Sequence, residues 1–217
     1  MRIRDKIKKP QRPVVAYEIL PPREKDGTLN AYAETISSLL SQTHIDAINI
    51  PEVHDEVGRG ERPVSNQERG EPRKFGMLLQ DIVGIEAIVN RVVVHMPLKK
   101  QMEWIQETYS QFEIDNLIIV GGESSKQKYP GPTVNESLEK ISQDNRLREN
   151  SILCGGICIP SRRKESKNLI RKSECGAEFF TTQVLCDSGN VIKMIKNYQE
   201  RCDKVNTFPR RILLSFA

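Results

Sequence analysis

Apolar residues along this chain fall into two alternating regimes. Short runs are apolar at consecutive positions, and between them lie longer stretches where apolar residues return every three or four positions. The short runs are "VVAYEIL" (14–20), "IDAINI" (45–50), "RVVVHM" (91–96), "NLIIVGG" (116–122), "ILCGGICI" (152–159), "EFFTTQVL" (178–185) and "RILLSF" (211–216). Each reads as a β-strand covered on both faces. The longer stretches read as helices. "TLNAYAETISSLLSQT" places Leu29, Ala33, Ile36 and Leu40 on one face, and "LKKQMEWIQETYSQF" does the same with Leu98, Met102, Ile105 and Tyr109. "VNESLEKISQ", "RKESKNLIRKSE" and "NVIKMIKNYQERC" complete the set.

Strands apolar on both faces, separated by amphipathic helices, predict a parallel sheet with helices packed outside it. Seven strands in succession predict an α/β fold, a (β/α)8 TIM-type barrel lacking its last strand–helix unit. The competing open doubly wound sheet needs a glycine-rich turn after its first strand, and "ILPPRE" has none. A closed barrel needs an eighth strand to pair with the first. The expectation is therefore a fragment, or a shortened barrel whose edge a partner covers. The 217 residues, 37 % of them hydrophobic, suffice for one domain spanning 1–217. One connection, 52–76, is long, polar and rich in Gly, Pro, Arg and Glu. It follows the second strand and so belongs to the catalytic face, where loops of this length serve as lids or stay disordered.

Charge narrows the class only slightly. Thirty-three basic and 29 acidic residues are mixed along the chain, and aromatics make up only 6 %, so a nucleic-acid surface has little support. The basic start "MRIRDKIKKPQRP" lacks the apolar segment of a secretory signal, and no run is long enough to span a membrane. Five cysteines, an odd number without a CxxC, suit free thiols in a reducing cytoplasm. Cys154 and Cys158 share one strand face about 13 Å apart at strand rise, too far for a shared metal. The three histidines are scattered, "HDE" at 54–56 reads as a solvated turn, and no metal site is expected.

In a barrel of this kind chemistry sits at the C-terminal ends of the strands. Those ends carry Glu18, Asn49 and Glu52, His95, Glu123 and Gln183. Glu18 is the sharpest signal. A carboxyl inside an apolar strand costs several kcal/mol unless it is paired, protonated or used. An acid buried in this way has a raised pKa, which suits proton donation near neutrality. The paired glycines of "VGGESS" let backbone approach a ligand closely, without forming a P-loop.

Taken in order, these residues resemble the methylenetetrahydrofolate reductase family. "YEILPPR" is similar to that family's first-strand signature. "NLIIVGGESS" is similar to its fourth-strand segment, and "RKSECGAEFFTTQVLCD" to its sixth-strand signature. The resemblance implies a flavin-bearing barrel that reduces a methylene group on tetrahydrofolate to methyl. FAD would carry the hydride, NAD(P)H would donate it, and the product would feed methionine biosynthesis. It implies Glu18 as general acid, Glu123 and Gln183 as pterin contacts, and Asn49, His95 and Lys172 as cofactor contacts. It also implies a homo-oligomer or a complex with another one-carbon enzyme. The departures fall on the flavin side: Arg91 stands at a family histidine, Gly121 at a family arginine, and Ile159 and Arg163 at a family Tyr and His. Arg91, Arg162 and Arg163 are read either as phosphate contacts or as solvated charges. A non-catalytic barrel subunit that binds a pterin or a partner is the second reading. A barrel enzyme using Glu18 on a different one-carbon or phosphate substrate is the third.

Overall fold

The computed structural model describes residues 1–53, 69–122, 127–185 and 187–216. Seven strands form one parallel sheet in the order β1-β2-β3-β4-β5-β6-β7. They are β1 Ala16–Glu18, β2 Ala47–Ile50, β3 Ala87–Val92, β4 Asn116–Val120, β5 Leu153–Cys158, β6 Phe179–Val184 and β7 Arg211–Ser215. The helices are α1 Ile3–Lys8, α2 Leu29–Leu40, α3 Pro72–Val83, α4 Leu98–Phe112, α5 Val134–Gln143, α6 Asn145–Glu149, α7 Glu165–Glu174 and α8 Ser188–Lys204.

Side-chain alternation along the strands creates two cores. Ile48, Ile50, Val89, Leu117, Ile119, Cys154, Cys158 and Phe180 face outward and pack beneath the helices. Ala47, Ile88, Ile118, Leu153 and Phe179 face inward, with Ala16 of β1 and Leu213 of β7 packed on the same cluster. The first and last strands meet one interior, so the sheet is curled. Among the described residues, β1 and β7 each pair with one neighbour only. The predicted incomplete barrel is therefore a seven-stranded curled sheet, with Tyr17, Leu214 and Phe216 exposed near its two edges.

The basic amino-terminal segment closes the lower end of this interior. Helix α1 buries Ile3 and Ile7 in the inward-facing cluster. Its cations meet acids that each stand one position before a strand. Arg2 pairs with Glu86 and Asp115. Arg4 and Lys8 pair with Glu178 at 2.8 Å, and Lys6 and Arg12 pair with Asp46 at 3.0 and 2.8 Å. Burial works against the Asp46 carboxylate, but the Val15 N–H and the two cations outweigh it and hold its pKa below the ordinary value.

Three differences from the sequence reading concern boundaries. The third strand is Ala87–Val92, not 91–96, and Val93–His95 form a 3-10 turn. Asn90 and Arg91 broke the apolar run in the sequence, yet both are buried. Helix α3 truncates the expected 52–76 loop. Glu71 caps it by accepting from Lys74 N–H at 2.8 Å, Pro72 opens it, and Gly84 ends it in the left-handed conformation. Of that loop, 54–68 lie outside the described residues. Helices α1 and α6, six and five residues long, were too short for periodicity to show.

Two outcomes follow for denaturant unfolding. Ile7→Ala leaves a cavity in the plug and lowers stability by roughly 2–5 kcal/mol. Asp46→Asn lowers it by roughly 3 kcal/mol at neutral pH. The native carboxyl titrates below the unfolded value of about 3.9, so its stabilisation is present above that pH and lost as pH falls through the native pKa. The gap between wild type and Asp46→Asn therefore narrows on acidification below about pH 4.

Candidate functional site

A cavity of about 870 Å³ opens at the C-terminal ends of the strands. Its inner wall carries Glu18 of β1, Asn90 and Val92 of β3, Ile157 of β5, Thr181 and Gln183 of β6. Its rim carries Glu52, the Gly121–Gly122 turn, Thr133 to Asn135 at the start of α5, and the cations Arg162, Arg171 and Lys172. The volume lies within the range of small-molecule sites.

Glu18 lies in this cavity but is not the buried acid the sequence suggested: it is exposed. Strand β1 is three residues long and pairs only with β2, so no wall closes over its other side. Its one hydrogen bond given by the described residues comes from Asn49, whose Nδ2 donates to Oε2 at 2.7 Å. Gln183 is also exposed and in the cavity. It sits where β6 carries one extra residue against β7, since Thr181 pairs with Leu213 and Val184 with Ser215. Thr182 fills that bulge, accepting from Ser215 N–H at 2.9 Å. Glu123 lies outside the described residues.

The acids that are buried do structural work. Glu165, 2 % exposed, accepts from Ile159 N–H at 3.0 Å and Asn168 Nδ2 at 3.1 Å, and pairs with Arg162 and Lys172. Lys172 passes over Gly156 on the outer face of β5 and donates to the Ile157 carbonyl. Burial pulls its pKa down, and Glu165 works against that shift. The lysine thus reaches the cavity already paired. Glu165 was legible only as an acid opening a helix after "SRRK".

Arg91 is neither a phosphate contact nor a solvated charge. It faces the helix layer, 4 % exposed, and donates to Gln101 Oε1 at 2.8 Å and to Glu52. Its guanidinium lies 4.3 Å from the centre of the Trp104 ring, and that of Arg73 lies 4.5 Å from the same ring. Glu52 also accepts from Val92 N–H at 2.7 Å, which ties the segment after β2 to the end of β3.

His95 is not on the cavity wall. Its ring stands edge-on to Tyr129, centroids 5.7 Å apart. Tyr129 also explains Gly122: a Cβ there would lie 2.2 Å from the tyrosine ring. The close approach read from the paired glycines is made by the chain's own side chain. Cys154 and Cys158 are buried, and desolvation pushes both thiols up to about 12. No cluster of three or more metal-ligating side chains occurs among the described residues. Nor is any helix among them long and apolar enough to cross a membrane.

No family model matches the chain, and no curated protein matches it by sequence. Solved structures do. An uncharacterized protein from Clostridium thermocellum that binds two copies of 5-methyl-5,6,7,8-tetrahydrofolic acid superposes with a TM-score of 0.76 and 18 % identity. The match covers 98 % of this chain and 68 % of that one. The likeness is one of fold. The same holds for 2,3-dimethylmalate lyase, a member of the PEP mutase/isocitrate lyase superfamily. Its TM-score is 0.60 at 10 % identity, over 97 % of this chain and 79 % of that one. Both comparisons place the curled sheet among α/β barrels.

Trp104 is the single tryptophan of the chain, so its emission reports on the Glu52–Arg91 pair. Glu52→Ala leaves a buried guanidinium without its carboxylate. It is expected to shift the Trp104 emission maximum and to lower unfolding stability by roughly 3 kcal/mol.

Proposed function

We infer that the cavity binds a reduced-folate-type carrier. One observation carries this reading: a single cavity joins two unlike ends. Its strand side offers Glu18, Asn90 and Gln183, groups able to hydrogen-bond a pterin ring, and its rim presents Arg171 and the half-exposed Arg162, which meets Glu165 through one nitrogen at 3.4 Å. A folate has that polarity, with a flat heterocycle rich in donors and acceptors at one end and carboxylates at the other. The shared fold with a barrel that binds 5-methyl-5,6,7,8-tetrahydrofolic acid supports the reading, as do the sequence signatures around Glu18 and Gln183.

Flavin fits less well. Two of the three residues the resemblance assigned to a cofactor are engaged elsewhere: His95 packs on Tyr129 and Lys172 is paired with Glu165. A binding barrel is therefore the reading the geometry favours. A reductase remains the second reading, with Glu18 as general acid and NAD(P)H as ultimate donor. Its support is the Glu18 carboxylate, which shares the cavity with Gln183. It calls for flavin absorbance in the purified protein and for loss of turnover, with binding retained, in Glu18→Gln.

Titration of the full chain with 5-methyltetrahydrofolate by calorimetry is expected to show saturable binding. Removing both rim arginines (Arg162→Ala with Arg171→Ala) is expected to weaken it about tenfold and to reduce its salt dependence. Absence of binding by the wild-type protein would overturn the proposal.

A further inference from the structure

Two amides in the upper interior of the sheet each carry an oxygen that the fold leaves unpartnered. Asn49 is 6 % exposed and Asn90 is 7 % exposed. In each, the side-chain carbonyl oxygen is buried and has no hydrogen-bond partner among the described residues. Asn116, a third buried asparagine of the same sheet, behaves differently: its Nδ2 donates to the Ala87 carbonyl at 3.2 Å. An unpartnered buried amide oxygen loses its hydration without a replacement and destabilises the fold. An apolar residue at position 90 would avoid that cost.

Both amides point inward. Asn49 is two residues from Ala47, and Asn90 two from Ile88, which both belong to the inward-facing cluster. Asn49 is the strand partner of Glu18 on one side and of Ile88 on the other. Asn90 therefore stands one strand over and two residues up. Strand spacing and rise put its Cα about 8 Å from that of Asn49, the span of a two-ring heterocycle.

The orientation of Asn49 follows from its neighbour. Asn49 Nδ2 donates to Glu18 Oε2 at 2.7 Å. The Asn49 amide group is thereby fixed and its oxygen turned away from Glu18. Three acceptors thus stand on the inward side of the sheet: the Glu18 carboxylate and Asn90, which line the cavity, and Asn49 Oδ1, buried one strand over from Glu18. Such a set matches a ligand edge of N–H donors and disfavours carboxylate or phosphate at this end of the cavity.

We propose that Asn49 and Asn90 form an acceptor pair that reads the N–H edge of a pterin-type ring. This rests on the folate-carrier reading above and deepens it. The pair fixes which end of the carrier enters: the amino-bearing pyrimidinone ring goes inward and the acidic tail points to the rim arginines. Asn90 is then a specificity-determining residue.

The test compares wild type, Asn90→Leu and Asn90→Ala, titrated with 5-methyltetrahydrofolate and, separately, with p-aminobenzoylglutamate, the tail without the ring. Thermal melting is recorded for each. Both variants are expected to bind 5-methyltetrahydrofolate about tenfold or more weakly while their affinity for the tail fragment stays as in wild type. Asn90→Leu is expected to melt at or above the wild-type temperature, because it removes an unsatisfied oxygen. Unchanged 5-methyltetrahydrofolate affinity in both variants would overturn the acceptor pair while leaving the carrier reading standing. Equal weakening toward both probes would also overturn it, as would lowered melting in both variants, which would mark Asn90 as structural. A wild-type protein that binds neither probe would remove the carrier reading and the pair with it.

Discussion

The structure depends on closing one end of a curled sheet. Seven strands arranged around a common interior leave a hydrophobic channel, and a channel open at the bottom would admit water to Ile88, Ile118 and Phe179. Helix α1 prevents this with two isoleucines one turn apart, Ile3 and Ile7, both almost wholly buried. Six residues cannot hold a helix in place by themselves. The holding is electrostatic: Asp46, Glu86, Asp115 and Glu178 each stand immediately before a strand and receive the cations of the first twelve residues. With the lower end dry and charge-locked, the upper end is left to form a cavity.

The strand–helix alternation was legible because doubly apolar strands and 3.6-residue periodicity are strong signals over long windows. The site was legible only where chemistry coincided with a strand end. Glu18 and Gln183 were found in that way, and both lie in the cavity. The inference that Glu18 is buried failed for a physical reason: an apolar run predicts apolar surroundings, but an edge strand leaves one side of its residues open. Asn90 was missed by the opposite error. Its own strand looked interrupted by "NR", and Arg91 beside it is tolerated indoors because Glu52, 39 positions away in sequence, supplies the counter-charge and Gln101 and Trp104 add further contacts. Pairings across the sheet carry no local signature.

The amino-terminal basic segment was read only for what it was not. Its function as a plug needs two facts at once, the i, i+4 isoleucines and the acids that precede four strands. Each is a weak pattern alone. Similarly, the paired glycines after β4 signalled close approach, and close approach is what Gly122 provides, but to Tyr129. Sequence can announce a vacancy beside a backbone without naming its occupant.

Gly155 faces inward between Ile118 and Phe179 in the strand register. A methyl group placed on it would fall 2.5 Å from the Phe179 ring, so the ring lies in the notch that the glycine leaves. That aromatic disc sits among the residues of the plug and below Ile157 and Thr181, which line the cavity. Phe179 is wholly buried beneath the chamber, so enlarging residue 155 would act on it only by pushing the ring against Ile157 and Thr181 above.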